Sequence, residues 1–112
     1  MITKNTLLAA GYHSFPPHKD AYCTGGLQKA VYDANDRLKL YFITVYFWTF
    51  PRVTPEVQAN NSVSLDVHLY LPGGKTVGVN YFVDKDTTLD EIESFYAKAY
   101  DRLGCVPDPH NN

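Results

Sequence analysis

A chain of 112 residues is long enough for one ordinary domain and too short for two. Its composition, 45% hydrophobic and 14% aromatic, can build a packed core and does not fit a disordered chain. The formal net charge of −2 disfavours a phosphate-driven nucleic-acid binder, which usually carries a basic excess. The N-terminal apolar run is too short for a secretory leader, and no stretch suits a membrane-spanning helix. We therefore expect a cytoplasmic protein with no membrane segment.

The N-terminal third is predicted to contain a short helix, a long loop and a strand. Thr3 or Thr6 can cap the helix, and Gly11 is placed to end it. Residues 16–26 are loop-like because of their prolines and glycines, and loops this long are more often functional than short ones. Residues 27–33 alternate as a strand, and the polar turn after them predicts a hairpin with the next strand.

The stretch 38–50 is the centre of the predicted fold. Its aromatic and β-branched residues favour a strand over the competing interpretation, a buried helix. Alternation places one set on one face, Leu38, Leu40, Phe42, Thr44, Tyr46, Trp48 and Phe50, and the other set opposite, Lys39, Tyr41, Ile43, Val45, Phe47 and Thr49. Both faces are apolar in the middle, so each face needs a cover.

The C-terminal half is predicted to contain two further strands and the main helix. Residues 63–71 alternate as a strand with one buried face, and 77–83 continue that pattern after a glycine turn. A short strand through 56–59 is also compatible with the sequence. A capping box opens residues 88–103, whose apolar positions recur at helical spacing, and Gly104 is placed to end this helix.

These elements predict an α+β fold of two layers. An antiparallel sheet of four to five strands carries the C-terminal amphipathic helix across one face, with the short N-terminal helix beside it. Residues 1–106 would form a single domain, followed by a mobile tail, 107–112. Because the helices can cover only one side of the sheet, either the loop 12–26 folds over the second face or that face stays exposed as an interface.

The sequence offers no catalytic residue, metal ligand set or cofactor motif that withstands inspection. The segment 72–76 resembles the end of a phosphate-binding loop, but it lacks the earlier glycine and the following helix, so we interpret it as a hairpin turn. His13, His18 and Cys23 lie on a loop without the close ligand pairs of structural zinc sites. Cys23 or Cys105 could be combined with a histidine and an aspartate into a catalytic triad, but no local sequence signature supports this.

Several segments spread over most of the chain resemble small uncharacterised proteins carried by phages and prophages. The matching segments are Leu7-Leu8-Ala9-Ala10-Gly11-Tyr12 with Phe15, Leu27-Gln28-Lys29, Tyr41-Phe42-Ile43, Glu56-Val57-Gln58, and Leu89-Asp90-Glu91-Ile92-Glu93-Ser94-Phe95 closing on Leu103-Gly104-Cys105. The chain departs from them in its proline-rich loop and in the hairpin at Gly73-Gly74. The resemblance implies no known chemistry. It implies a protein of the host cytoplasm that binds a host or phage protein, in some cases to block a defence system.

The leading hypothesis is a non-catalytic accessory protein that binds another protein or a second copy of itself. The predicted binding face carries Tyr41, Ile43, Val45 and Phe47, and tyrosine is enriched at such surfaces.

Two hypotheses from other classes compete with protein binding. One is a single-stranded nucleic-acid module that uses Lys29, Arg37 and Lys39 near one hairpin end, although the charge balance disfavours it. The other is a small enzyme with a site in the loop 12–26.

Overall fold

The computed structural model of the chain describes residues 1–58 and 60–111. Two helices, six strands and two sheets make up these residues: α1 (Lys4–Ala9), β1 (His13–Phe15), β2 (Cys23–Tyr32), β3 (Lys39–Phe50), β4 (Asn60–Asp66), β5 (His68–Leu71), β6 (Lys75–Gly78) and α2 (Leu89–Arg102). The first four strands form one antiparallel sheet in the order β1-β2-β3-β4, and β5 and β6 form a separate hairpin. The predicted α+β class is confirmed.

Strand β3 holds the main sheet together because it pairs with both β2 and β4. Its register against β2 contains two β-bulges, one of which skips Leu40 between the pairs Val31–Tyr41 and Tyr32–Lys39. Beyond that bulge the simple alternation no longer applies. Leu40 packs against the core, and the Lys39 ammonium lies 4.4 Å from the centre of the Phe42 ring on the other face.

The core lies between the main sheet and the two helices. Ile43 and Val45 of β3 are fully buried, and so are Ile92 and Tyr96 of α2. The other buried members of this cluster come from several elements: Ile2, Leu7, Tyr12, Leu27, Tyr41, Val67 and Leu69. One cluster therefore joins α1, α2, the main sheet and the second hairpin.

Both helices begin at the threonines that local side-chain chemistry favours. The Thr3 side chain accepts a hydrogen bond from the Thr6 amide in a capping box, and the Thr88 hydroxyl accepts one from the Glu91 amide at 3.2 Å. Gly11 follows α1 with a φ of +90°, a left-handed conformation that glycine adopts without a side-chain clash. The predicted helix starts and stops thus agree with the structure.

Strand lengths in the C-terminal half differ from the sequence prediction. The predicted strand 63–71 is divided at the buried Val67 into β4 and β5, which belong to different sheets. The predicted strand 77–83 is a strand only as far as Gly78, and the Tyr96 hydroxyl then donates to the Val79 carbonyl at 2.6 Å. Residues 56–58 form no strand, and Ala59 lies outside the described residues.

The predicted mobile tail is held against the sheet over residues 107–111, so this boundary needs correction. The Asp108 amide donates to the Lys39 carbonyl at 3.0 Å, and the Asn111 side chain bonds both the amide and the carbonyl of Lys39. Asp108 is only 3% exposed and forms an ion pair of 3.3 Å with Lys39. Val106 also bridges to Tyr70 of β5. The tail therefore fills the space between the start of β3 and β5, which no strand signal in the sequence predicted.

Replacing Ile43 by alanine should lower the free energy of unfolding by about 2–5 kcal/mol, since it removes fully buried methyl groups and leaves a cavity. Urea titration followed by circular dichroism measures this change. The matched control is Val53→Ala, because Val53 is 89% exposed and should change stability by less than about 0.5 kcal/mol. Equal effects of the two substitutions would contradict the placement of Ile43 in the core.

Asp108→Asn should destabilise the protein at neutral pH by about 1–3 kcal/mol, because it breaks the ion pair with Lys39. Burial alone would raise the pKa of Asp108, but hydrogen bonds from His110 and the nearby Lys39 outweigh burial and lower it. A lowered folded pKa means that the stabilisation is present above the ordinary pKa of about 3.9 and is lost as the pH falls through the folded value.

Wild type and Asp108→Asn should therefore differ in urea midpoint at pH 7 and converge towards pH 2. Asp86→Asn, which alters an exposed turn, is the control and should match wild type at both pH values. A difference that persisted unchanged in acid would contradict the role of the Asp108 charge.

Candidate functional site

The four residues predicted to bind a partner lie on the helix side of the sheet. Tyr41 is 1% exposed, Ile43 and Val45 are 0% exposed, and Phe47 packs half-buried against the same core. The prediction of a free surface is wrong for these side chains, because α1 and α2 cover this face. The alternation in β3 was predicted correctly through its middle, but the helices lie on the face that was expected to be open.

The three basic residues of the nucleic-acid hypothesis are not gathered into one patch. The Lys29 ammonium lies on the helix side, 3.3 Å from a Glu93 oxygen. Lys39 lies over Phe42 on the opposite face and is paired with Asp108, while Arg37 is exposed in the turn between β2 and β3. Two of the three charges are therefore partly neutralised within the chain, and they point to different sides of the sheet.

The face of the sheet opposite the helices carries a row of aromatic side chains, which we call the aromatic face. Its members are Phe42, Tyr46, Trp48 and Phe50 of β3, together with Phe15, His18 and Tyr22. Trp48 and Phe50 are stacked, with ring centres 6.1 Å apart and planes inclined by 3°. Strand alternation brings these rings to one side, because every second side chain of β3 points away from the helices.

The loop between β1 and β2 covers part of the aromatic face. The His18 ring lies 5.6 Å from Tyr46 and 5.4 Å from Trp48, measured between ring centres. The His18 amide donates to the Cys23 sulfur at 3.3 Å, which holds the loop down at this point. The segment between β1 and β2 therefore folds over the second face, as one of the two alternatives predicted, but it leaves both ends of the face open. The two ends of the predicted loop 12–26 are not loop, because residues 13–15 form β1 and residues 23–26 begin β2.

One open end lies where β3 enters the turn to β4, and we call it the distal surface. Tyr22 packs on Phe50 with ring centres 5.6 Å apart, and these side chains are 45% and 36% exposed. Every described residue from 51 to 58 is exposed, including Val53 at 89% and Val57 at 48%. Four exposed apolar side chains therefore lie at or next to this end of β3.

The other open end is a cleft of about 160 Å³ between the aromatic face and β5, which we call the β5 cleft. It is lined by aromatic and polar side chains: Phe15, Gln28, Phe42, Thr44, Tyr46, Asp66, His68 and Tyr70. The Gln28 amide donates to the Thr44 hydroxyl at 2.9 Å, and His68 Nε2 lies 2.8 Å from an Asp66 oxygen. Burial and the Asp66 charge raise the pKa of Tyr46, so this phenol stays neutral at pH 7.

The titratable groups of the core are not arranged for acid–base or nucleophilic chemistry. Burial, followed by the Glu93 charge, raises the pKa of Tyr41 to about 12, and burial raises that of Tyr96 to about 12 as well. Burial also raises the pKa of the Cys105 thiol, which disfavours the reactive thiolate. Within residues 1–58 and 60–111, no three His, Cys, Asp or Glu side chains lie close enough together to hold a metal ion. None of the three residues with these raised pKa values belongs to the loop 12–26, so the hypothesis of a small enzyme with a site in that loop stays a prediction.

Comparisons of the chain with protein-family models, with curated proteins and with solved structures give no match. The resemblance to phage-carried proteins accordingly stays a prediction. In the part of the chain that the structure describes, neither helix has the length and apolarity needed to cross a membrane.

The β5 cleft was not predicted from the sequence, although the sequence pattern already indicated part of its lining. Alternation over 63–71 already put Asp66, His68 and Tyr70 on the side opposite the buried residues. What the sequence did not show is that the same side of β3 carries Thr44 and the aromatic rings. Only the pairing of Thr44 with both Gln28 and Asp66 brings these groups together.

His18→Ala should make the single tryptophan, Trp48, more accessible to solvent, because the His18 ring covers it. Tryptophan emission should shift to longer wavelength, and acrylamide quenching should increase. His13→Ala is the control, since His13 lies on the outer edge of β1 and is exposed. Identical quenching of wild type and His18→Ala would show that the loop does not cover Trp48 in solution.

Proposed function

We propose that this protein works without catalysis, by binding another protein through the distal surface. The observation that carries the proposal is the exposed group Tyr22, Phe50, Val53 and Val57 at one end of the sheet. Water-exposed aromatic and β-branched side chains gain free energy when a partner covers them, by roughly 25 cal/mol for each Å² of apolar surface removed from water. Contiguous apolar patches on a small domain are typical of interaction sites, and we infer that these four side chains form one.

The construction of the distal surface supports its role as an interface. Phe50 ends strand β3, and Tyr22 lies just before β2, where its carbonyl accepts a hydrogen bond from the Thr49 amide at 3.0 Å. Trp48, which stacks on Phe50, is fixed in turn by a 2.7 Å hydrogen bond from its indole nitrogen to Ser64. Side chains held in place before binding lose less conformational entropy when a partner arrives. The exposed turn 51–58 then adds apolar contacts beside these anchored rings.

The partner class follows from the charge around the surface and from the resemblance described above. Arg52 and Glu56 are the charged residues of the turn 51–58, so the turn carries no net charge and no cluster of basic residues that would attract phosphate. Proteins like the phage-carried ones that the sequence resembles often bind a host or phage protein. We therefore propose a protein partner of that kind, with a second copy of the chain as the competing occupant.

The double substitution Phe50→Ser with Tyr22→Ser should abolish retention of the partner, because it removes the two aromatic anchors. A tagged protein is incubated with host lysate, washed at high salt and compared with the variant by mass spectrometry. Phe82→Ser is the matched control, since Phe82 is 84% exposed but lies in the segment between β6 and α2. Light scattering of wild type and variant tests self-association in parallel.

The expected result is a protein that is retained by wild type and by Phe82→Ser and lost with the double variant. Equal retention by all three would contradict a role for the distal surface. Retention that disappears in salt for wild type would favour phosphate-driven binding instead. A change in molecular mass between wild type and double variant would identify the partner as a second copy.

A further inference from the structure

The β5 cleft lies away from the distal surface and has a different chemistry. Its volume of about 160 Å³ is close to the roughly 150 Å³ of a cavity that admits one benzene-sized ring. Clefts that bind small ligands combine apolar walls with a few polar groups in defined positions. The β5 cleft has this composition, and its polar groups determine which ligand it would select.

The strand register arranges the cleft as a polar row between aromatic side chains. Gln28, Thr44 and Asp66 lie side by side on β2, β3 and β4. Phe42 and Tyr46 stand two residues before and two residues after Thr44 on β3, which places each roughly 7 Å away along the strand. Thr44 is only 4% exposed and forms the floor. A ligand ring standing between the two aromatic side chains would meet the polar groups at its lower edge and an aromatic ring beside its face.

The polar row offers both acceptors and donors, because the Gln28 amide keeps one hydrogen and Thr44 keeps its hydroxyl hydrogen. Gln28 uses its amide nitrogen to donate to Thr44, and Asp66 uses one carboxylate oxygen for His68. Among residues 1–58 and 60–111, no group donates to the remaining oxygens, Gln28 Oε1 and Asp66 Oδ2. Such a row suits a ligand whose groups both donate and accept hydrogen bonds, as hydroxyl groups do.

The charge of the cleft excludes anionic ligands. The Asp66 carboxylate is 48% exposed at the mouth and would repel a phosphate or a second carboxylate. The ammonium of Lys39 lies over Phe42 but is paired with Asp108. A nucleotide therefore lacks a free cation for its phosphate. A cationic ligand would in turn meet the Lys39 ammonium that already lies over the Phe42 ring. We therefore favour uncharged ligands rich in hydroxyl groups.

We propose that the β5 cleft binds one pyranose ring of an uncharged sugar. The C–H groups on one side of such a ring pack against the negative faces of aromatic rings such as Phe42 and Tyr46. Its hydroxyl groups donate to Asp66 Oδ2 and Gln28 Oε1 and exchange hydrogen bonds with Thr44. Binding needs no covalent step and no cofactor, and it is independent of the protein interface proposed at the distal surface.

The test is a titration of ¹⁵N-labelled full-length protein with methyl glycosides of glucose, galactose, mannose and N-acetylglucosamine, followed by amide chemical shifts. At least one glycoside should shift the amides of Gln28, Thr44 and Asp66, with a dissociation constant on the order of 1 mM for a ligand of this size. Adenosine and uridine, which are uncharged rings of another class, are titrated in the same way.

Asp66→Asn should weaken glycoside binding about tenfold or more, because it replaces a charged acceptor by an amide of the same shape. Asp86→Asn, outside the cleft, should bind like wild type, and the spectra of both variants report whether the fold is retained. The proposal is overturned if no glycoside shifts the cleft amides at tens of millimolar, or if the nucleosides bind more tightly than every glycoside. Unchanged binding by a folded Asp66→Asn would equally overturn it.

Discussion

The structure depends on one constraint: the central strand β3 is apolar on both faces, but the helices can cover only one of them. α2 and α1 bury Ile43 and Val45 on their side, and that burial supplies the core. No helix covers the opposite face, so only loops and neighbouring side chains can shield it from water. The loop that carries His18, the partly exposed Phe50 and the cleft around Thr44 all lie on that second face.

The second face is protected differently along its length. In the middle, the loop that carries His18 lies across Tyr46 and Trp48. At one end the chain leaves Phe50 partly exposed beside the turn 51–58. At the other end lies the polar row of Gln28, Thr44 and Asp66, with aromatic rings on either side of it. A single strand thus presents an apolar surface and a mixed cleft, and these two surfaces suit different classes of ligand.

A β-bulge near the start of β3 allows the C-terminal segment to pack against the sheet. The bulge at Leu40 turns Lys39 towards Phe42, and from there its ammonium reaches Asp108 in the C-terminal segment. The same segment bonds the Lys39 backbone through Asn111. The C-terminal segment is polar and proline-rich in sequence, and it is therefore held in place by contacts with residues that are distant in sequence. Propensity carries no information about such contacts.

The sequence by itself determined the local elements of this protein, because capping, glycine stops and alternation act within a few residues. It predicted both helices, the strands β2 and β3, and the need to cover two faces. Only the tertiary structure decided which face of β3 the helices cover. The face that carries Tyr41 and the face that carries Tyr46 are similarly hydrophobic, so the sequence did not distinguish them. It also decided the division of residues 63–71 at Val67, and it brought Gln28, Thr44 and Asp66 into one row. Those outcomes depend on register and packing between distant segments, which no local pattern records.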